Sequence, residues 1–596
     1  MYKRMQKEKA MKNNDIVNWK GGQELTCLLF FAQRLDELLF HHSLDTYRYS
    51  ALSLTGLAIE YCTVYDDVKE GKINDKNLSH IIDEFVDRLP NDDVANAILT
   101  PEFSERFRKG YGSWKRQDQY ENMRYVARKL SSKHYYDGLV DRLKKLIAEN
   151  NAKKEIDKYA SYFVRELIDN GYNENYVYDA VQNVFFVNEV SSLDSLDVFF
   201  NCFSYQKRKF DVYIGYSIDI KSLFPLFEKM AITDLDIELL DVNSVPVGIK
   251  TSRQKSILRF KEIESYEMYN AYEIANAISS CVVNSYSFFR HNKTAIKTYG
   301  QVVSDDGSIK TIRQKKLLKY RLSMESQKDS EKNAEILLRI LFSSSHNLSE
   351  LTKLTRIHNS AIHSENTNDS LLALWSILEA EAEEDSDEER GKCSHVIENT
   401  MPFQKSTYIQ KLVQTCMLDI VRWNKEFFDA HIANNGFGSN DMEHTFAFLA
   451  FRSMQSDRNA LFEQTQNHPL LKYRVCCLSD QLMNSKGIKT LIANHTKRIT
   501  WHIRRIYRAR NYIIHDAAGN EQLNQELVLN LHSYVDLMFI KIISLLDQSP
   551  YNDSIHDILI DHKLAVSIMD EKLKNQENED LNAENAYRYL YYDFQR

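Results

Sequence analysis

The stretch Arg504-Arg505-Ile506-Tyr507-Arg508-Ala509-Arg510-Asn511-Tyr512-Ile513-Ile514-His515-Asp516 sets the reading of the whole chain. At about 100° per residue, positions three and four apart share one side of an α-helix. Arg504, Arg508, Asn511 and His515 therefore form one polar stripe, while Ile499, Ile503, Ile506 and Ile513 form an apolar face turned toward a core. Arg510 falls among the isoleucines. A guanidinium there needs a carboxylate from another helix, or the helix must unwind before His515 and let it swing across.

Working outward, a helix through Leu371, Leu374, Trp375, Leu378 and Ala382 is predicted behind an Asn368-Asp369 cap. Glu379 follows Trp375 by one helical turn, at the edge of that apolar face, and is the expected partner of Arg510. The carboxylates from Glu381 to Glu389 read instead as a solvated acidic loop. A second helix is predicted over Lys405 to Ala433, stopped by Asn434-Asn435-Gly436. The third runs over Asn494 to His515, and the fourth over Glu521 to Leu546, with Pro550 beyond it. Together they make a four-helix unit over 369–548.

The remaining chain is also mostly helical in pattern. Its 17 glycines and 7 prolines amount to about 4% of the residues, against roughly 12% in average proteins. The expected fold is mainly α and multidomain: an N-terminal helical domain (1–186), a small α+β middle domain (187–328), connecting helices (329–368), the four-helix unit, and a C-terminal tail (549–596). The middle domain is read from Phe210, Val212, Ile214 and Tyr216, which alternate at period two, and from short runs at Ile237, Leu239 and Ile257. Pro225 and Pro246 punctuate it, Tyr266 to His291 has helical spacing, and Asp306-Gly307 marks a hairpin. The basic stretch Arg313 to Lys319 reads as a solvated surface.

Several function classes are excluded or disfavoured. A net charge of −8 and a pI near 6.2 argue against a wholly basic nucleic-acid coat, so phosphate contacts must come from local patches. There is no P-loop motif. The eight cysteines show no C-x-x-C spacing and read as reduced thiols of a cytoplasmic protein. The longest uncharged run, Ile274 to Phe289, is too short and polar for a membrane span, and the charged N-terminus is a poor signal peptide. His41-His42 and His358/His363 lack Cys or carboxylate partners at ligand spacing, so neither a metal nor another cofactor is expected. Arg356 to His363, which repeats an arginine-to-histidine spacing, precedes the four-helix unit and reads as a connecting helix.

The arginine, polar residue and histidine of Arg510-Asn511-Tyr512-Ile513-Ile514-His515 close the third helix of four, and the first helix reads Leu374-Trp375-Ser376-Ile377-Leu378-Glu379. This pattern resembles the HEPN superfamily, whose motif is R-x(4 to 6)-H, and most closely its C-terminal domains in large bacterial defence proteins. The resemblance covers about a third of the chain. Ala517-Ala518 depart from it, because relatives often turn on glycine at once and here Gly519 comes later. Catalytic members are metal-independent ribonucleases whose site is usually completed across a homodimer. The resemblance implies an endoribonuclease of anti-phage defence acting on RNA, tRNA loops being the usual kind of target, under a phage-derived trigger. Arg510, Asn511 and His515 would be catalytic, and Arg504, Arg508 and the adjacent Arg505 would line a groove for the RNA backbone. The competing expectation is an inactive HEPN scaffold that senses nucleotide or RNA, or that only dimerises.

Overall fold

The computed structural model describes residues 17–592 except 41–42, 132, 221–235, 244, 252–253, 290–296, 313–317, 319–326, 344, 365, 381–391, 516–520, 549–553 and 576–577. Pro225, His41-His42, the acidic run from Glu381, Asp516 to Gly519, Pro550 and most of Arg313 to Lys319 thus lie outside the described residues. The fold is mainly α, with 73% helix and 7% strand.

The N-terminal helices bury one continuous apolar core that starts at Leu25. Gly171, at φ +92°, ends one helix, and the Asn173 side chain caps the next by accepting from the Asn175 amide at 2.9 Å. The change of sequence pattern near 187 does not end this core. A six-residue π-helical turn, Gln182–Val187, leads into a further helix, Asp194–Asn201. Phe199, Phe200 and Phe203 pack back onto Phe31 and Phe163 as a cluster of edge-on and tilted rings.

A five-stranded antiparallel sheet follows, with strands β1 (Arg208–Tyr216), β2 (Ile237–Leu240), β3 (Ser256–Ser265), β4 (Lys297–Ser304) and β5 (Ile309–Ile312) in the order β2-β3-β1-β4-β5. Phe210, Val212, Ile214 and Tyr216 of β1 face one side, where Ala271, Tyr272 and Ala275 of the helix Met268–Phe289 cover them. Gly300 permits that close approach, since a Cβ there would sit 2.1 Å from the Tyr272 ring. The β4–β5 hairpin turns on Gly307 at φ +79°.

Beyond two connecting helices, Gln327–Ser343 and Ser345–His363, the four-helix unit comprises Thr367–Ala380, Lys392–Trp423, Ser485–His515 and Glu521–Gln548. Each of the four packs against the other three. The cap of the first is Asn366, whose Oδ1 accepts from the amides of Asn368 and Asp369. The second begins 13 residues before its expected start and continues through buried Pro402. Asn424 divides it from a short helix, Lys425–His431, by capping the Phe427 amide at 3.0 Å.

Two cores share these helices. The first holds Leu371, Leu374, Trp375, Leu378, Ile499, Ile503, Ile506, Leu527 and Leu531. The second joins Tyr408 to Val421, the helices inserted between 425 and 482, Ile488 to Ile492, and the chain's end. Within the C-terminal segment, Val566 and Met569 of the helix Ile555–Asn575, then Tyr589, Leu590 and Tyr592, are buried in this second core. Among the described residues one helix is long and apolar enough to cross a membrane, Asn524–Gln548, and 56% of its window is buried against the rest of the protein. The eight cysteines form no disulfide.

Candidate functional site

The motif helix, Ser485–His515, gains its extra first turns from Asn484, whose Oδ1 accepts from the Gly487 amide at 2.9 Å. It remains wound as far as His515, so Arg510 is not released by unwinding. Instead Arg510 Nη2 donates to Glu379 Oε2 at 3.3 Å, and its Nη1 donates to Asn511 Oδ1 at 3.1 Å. The structure thus joins Glu379, Arg510 and Asn511 in one hydrogen-bonded chain. Both ends of the ion pair are only partly covered, with side-chain exposures of 24% for Arg510 and 18% for Glu379. Glu379 Oε1 is buried without a hydrogen-bond partner among the described residues, which leaves an acceptor open beside the arginine. Trp375 and Tyr507 pack ring to ring at 5.6 Å and fix the first helix against the motif helix one turn earlier.

His515 is the last residue of the helix, and its side chain lies outside the described residues. Arg504 is half-buried, and no hydrogen bond or ion pair joins it to another side chain among the described residues.

Arg505 and Arg508 do not present free cations to solvent. Both are 2% exposed and turn into the N-terminal bundle. Arg505 donates to both oxygens of Glu60, at 2.9 and 2.8 Å, and to Glu84 at 2.8 Å. Arg508 donates to Glu60 at 2.7 Å and to His80 Nε2. The expectation that these two arginines bind the RNA backbone is therefore corrected: carboxylates of another domain already neutralise them. Burial alone would raise the Glu60 carboxyl, but the two guanidiniums outweigh it and hold it at about 2. Burial, reinforced by Arg508 and Arg504, holds His80 at about 2, so it is neutral and accepts from Arg508.

This cluster is the centre of a longer seam. Lys497 pairs with Asp87, Arg498 with Asp45, Arg474 with Glu37 and Asp157, and Tyr512 with Asp67. One pair runs the other way, Arg165 to Glu526 at 2.7 Å. Positions 498, 505, 508 and 512, spaced by seven, three and four, present this charged face to the bundle, while Ile499, Ile503 and Ile506 face the core. A cleft of about 610 Å³ opens along the seam, lined in part by Thr55, Glu60, Asp67, Arg505, Arg508 and Tyr512. Arg510 and Asn511 are not among its walls.

Two histidines of the motif helix are also buried on this side. His502 Nδ1 meets the Tyr534 hydroxyl at 2.8 Å, and His495 stacks on Tyr408 with ring centroids 3.6 Å apart. Burial lowers both to about 3. The bundle residues Glu60, Glu84 and His80 had no signal in the sequence, because nothing near them in the chain marks their arginine partners. Chemically, the Glu379–Arg510–Asn511 chain offers a fixed cation and an amide beside the end of the helix that carries His515. Comparisons with family models, with curated proteins and with solved structures find no match to this chain.

Proposed function

We propose that the chain is a cytoplasmic HEPN-type endoribonuclease acting without a metal in its chemistry, in which Arg510, Asn511 and His515 carry the reaction. One arrangement supports this reading: Arg510 is held between Glu379 and Asn511 at the helix end that bears His515. In the proposed reaction His515 takes the proton of a ribose 2′-OH, and the oxygen attacks the adjacent phosphorus. The 5′-oxygen leaves with the proton that the His515 imidazolium gives back, and a 2′,3′-cyclic phosphate remains. Arg510, permanently charged, stabilises the extra negative charge of the pentacoordinate phosphorus. A second copy of the motif across a homodimer would complete the site, and an unpaired loop of a structured RNA such as tRNA would fit it. The ion-paired seam gives the N-terminal bundle a direct grip on the motif helix, through which a phage-derived trigger would act.

A non-catalytic scaffold is the second reading. It is favoured by the burial of Arg505 and Arg508, which removes two cations from any RNA path. Purified protein incubated with total RNA in EDTA separates the two. Arg510→Ala and His515→Ala are each expected to lower cleavage about 10²- to 10³-fold, as loss of one charge-stabilising group does. Glu379→Gln, which keeps a hydrogen bond but loses the ion pair, is expected to lie between them and wild type. Cleavage that survives both alanine substitutions would sink the site assignment, and no cleavage with any RNA or trigger would favour the scaffold.

A further inference from the structure

The connecting helix Ser345–His363 meets the last helix of the four-helix unit at a cluster of side chains unconnected with Arg510. His532 and Asp536 lie one turn apart on that last helix, and so share a face. His358 comes to them from the connecting helix, 178 residues away in sequence. Its Nε2 is 2.6 Å from Asp536 Oδ1, and His532 Nδ1 is 3.2 Å from Asp536 Oδ2. The carboxylate is therefore clasped between two imidazoles, one on each oxygen. The two rings lie nearly parallel, 5.4 Å apart, and Phe539 meets His358 edge-on.

We propose that His358, His532 and Asp536 form a binding site for a divalent transition metal ion of the Zn²⁺ class. One ligand atom from each residue can be chosen so that all three lie within 4.8 Å of one another. In a tetrahedral site with metal–ligand distances near 2.0–2.1 Å, neighbouring ligand atoms stand about 3.3 Å apart. His358 Nε2 stands 2.6 Å from Oδ1 and His532 Nδ1 3.2 Å from Oδ2, so rotation of the carboxylate and the His358 ring, by on the order of 1 Å at the ligand atoms, would bring the three onto one ion.

Two imidazoles and one carboxylate suit Zn²⁺, Co²⁺ or Ni²⁺ and not Mg²⁺ or Ca²⁺, which take oxygen ligands. Each imidazole would offer the ring nitrogen that now faces Asp536 and carry its proton on the other. His532 forms the buried floor at 1% exposure, while His358 and Asp536, at 19% and 17%, leave an entry path and room for water as a fourth ligand. Binding would staple the connecting helix to the four-helix unit. Asp536 lies about 20 Å along its helix from the end nearest the motif, so this ion would take no part in chemistry at Arg510.

Sequence spacing reveals only the His532/Asp536 pair, one turn apart, because His358 arrives from another helix 178 residues away. Titration of the full-length, chelator-treated protein with Co²⁺ tests the proposal. One equivalent per chain should develop the visible ligand-field spectrum of a tetrahedral nitrogen and oxygen site, and Zn²⁺ should displace it. Asp536→Asn and His358→Ala should weaken binding by more than the roughly 10- to 100-fold that loss of an outer-shell partner costs. His358 is partly exposed, so His358→Ala should retain its circular dichroism spectrum, and only the wild type should melt higher with added Zn²⁺. The spectrum of free aqueous Co²⁺ with wild type would overturn the proposal, as would identical binding by folded His358→Ala. Either result would reduce the cluster to a hydrogen-bonded one and leave the RNA-cleavage test unaffected.

Discussion

Replacing Glu60 with glutamine keeps the shape of the side chain and removes the charge that Arg505 and Arg508 share. Arg505 retains Glu84, whereas Arg508 is left with neutral His80 alone. A carboxyl held at about 2 in the folded chain against 4.5 ordinarily represents roughly 3 kcal/mol of stability at neutral pH. The about 3–5 kcal/mol lost when one partner of a buried ion pair is removed agrees with it. For a cooperative unit of 150–250 residues, about 2–4 °C is lost per kcal/mol, so melting should fall by on the order of 10 °C. Scanning calorimetry at neutral pH measures this, with Glu105→Gln as control, because the Glu105–Lys109 pair is fully on the surface and should contribute nothing visible. The sign with pH follows from a depressed carboxyl: the advantage is complete above about pH 4.5 and fades as pH falls toward 2, so wild type and Glu60→Gln should converge on acidification. If Glu60→Gln melts like the control, the two arginines are hydrated and the seam does not hold the motif helix.

Acid sensitivity should begin well above that range. His80, His495, His502 and His562 are held by burial at about 2, 3, 3 and 4, whereas each takes a proton near 6.5 once unfolded. Below 6.5 the unfolded chain therefore binds protons the folded chain refuses, and stability falls by up to about 1.4 kcal/mol per pH unit for each histidine. The urea midpoint should drop steeply from pH 7 to pH 5, and His80→Gln should flatten the slope; a level midpoint would contradict buried neutral histidines. Truncation after Asn575 removes Tyr589, Leu590 and Tyr592 from the second core, a loss on the order of 5–8 kcal/mol at about 1.5–3 kcal/mol per large apolar side chain. Limited proteolysis should then cut within 425–482, and a truncated chain as resistant as the full one would refute the packing.

How far the sequence reveals the structure depends on how local the determining interactions are. The period-two residues of β1 and the Asp306-Gly307 turn are local, and both elements form where the pattern puts them. Glu379 and Arg510 were legible because each sits at the edge of an apolar stripe whose partner stripe is also visible. Helix starts differ from expectation at two places: the second helix begins at Lys392 and carries Pro402 in its interior, and Asn368 resembles a cap that Asn366 supplies. Arg508 leaves the expected polar stripe for a different reason. Helical geometry assigns Arg508 to a face but says nothing of which domain covers that face, and Glu60 lies 448 residues away. The meeting of His358 with Asp536, 178 residues away, was hidden in the same way.

The seam has a consequence for how the two halves of the molecule can separate. Surfaces joined by methyl groups expose oil when they part, and the separated pieces tend to aggregate. Here the charged joints are Arg505, Arg508, Arg498 and Lys497 on Glu60, Glu84, Asp45 and Asp87, set beside an apolar contact in which Leu470 and Tyr473 pack into the N-terminal core. Losing one of these ions strands its partner, yet withdrawing both into water rehydrates each, and the net cost of opening is far smaller than that of mutation. Such a joint behaves like a magnetic latch: it is intolerant of a missing pole, while the apolar contact beside it at Leu470 and Tyr473 resists parting by ordinary burial.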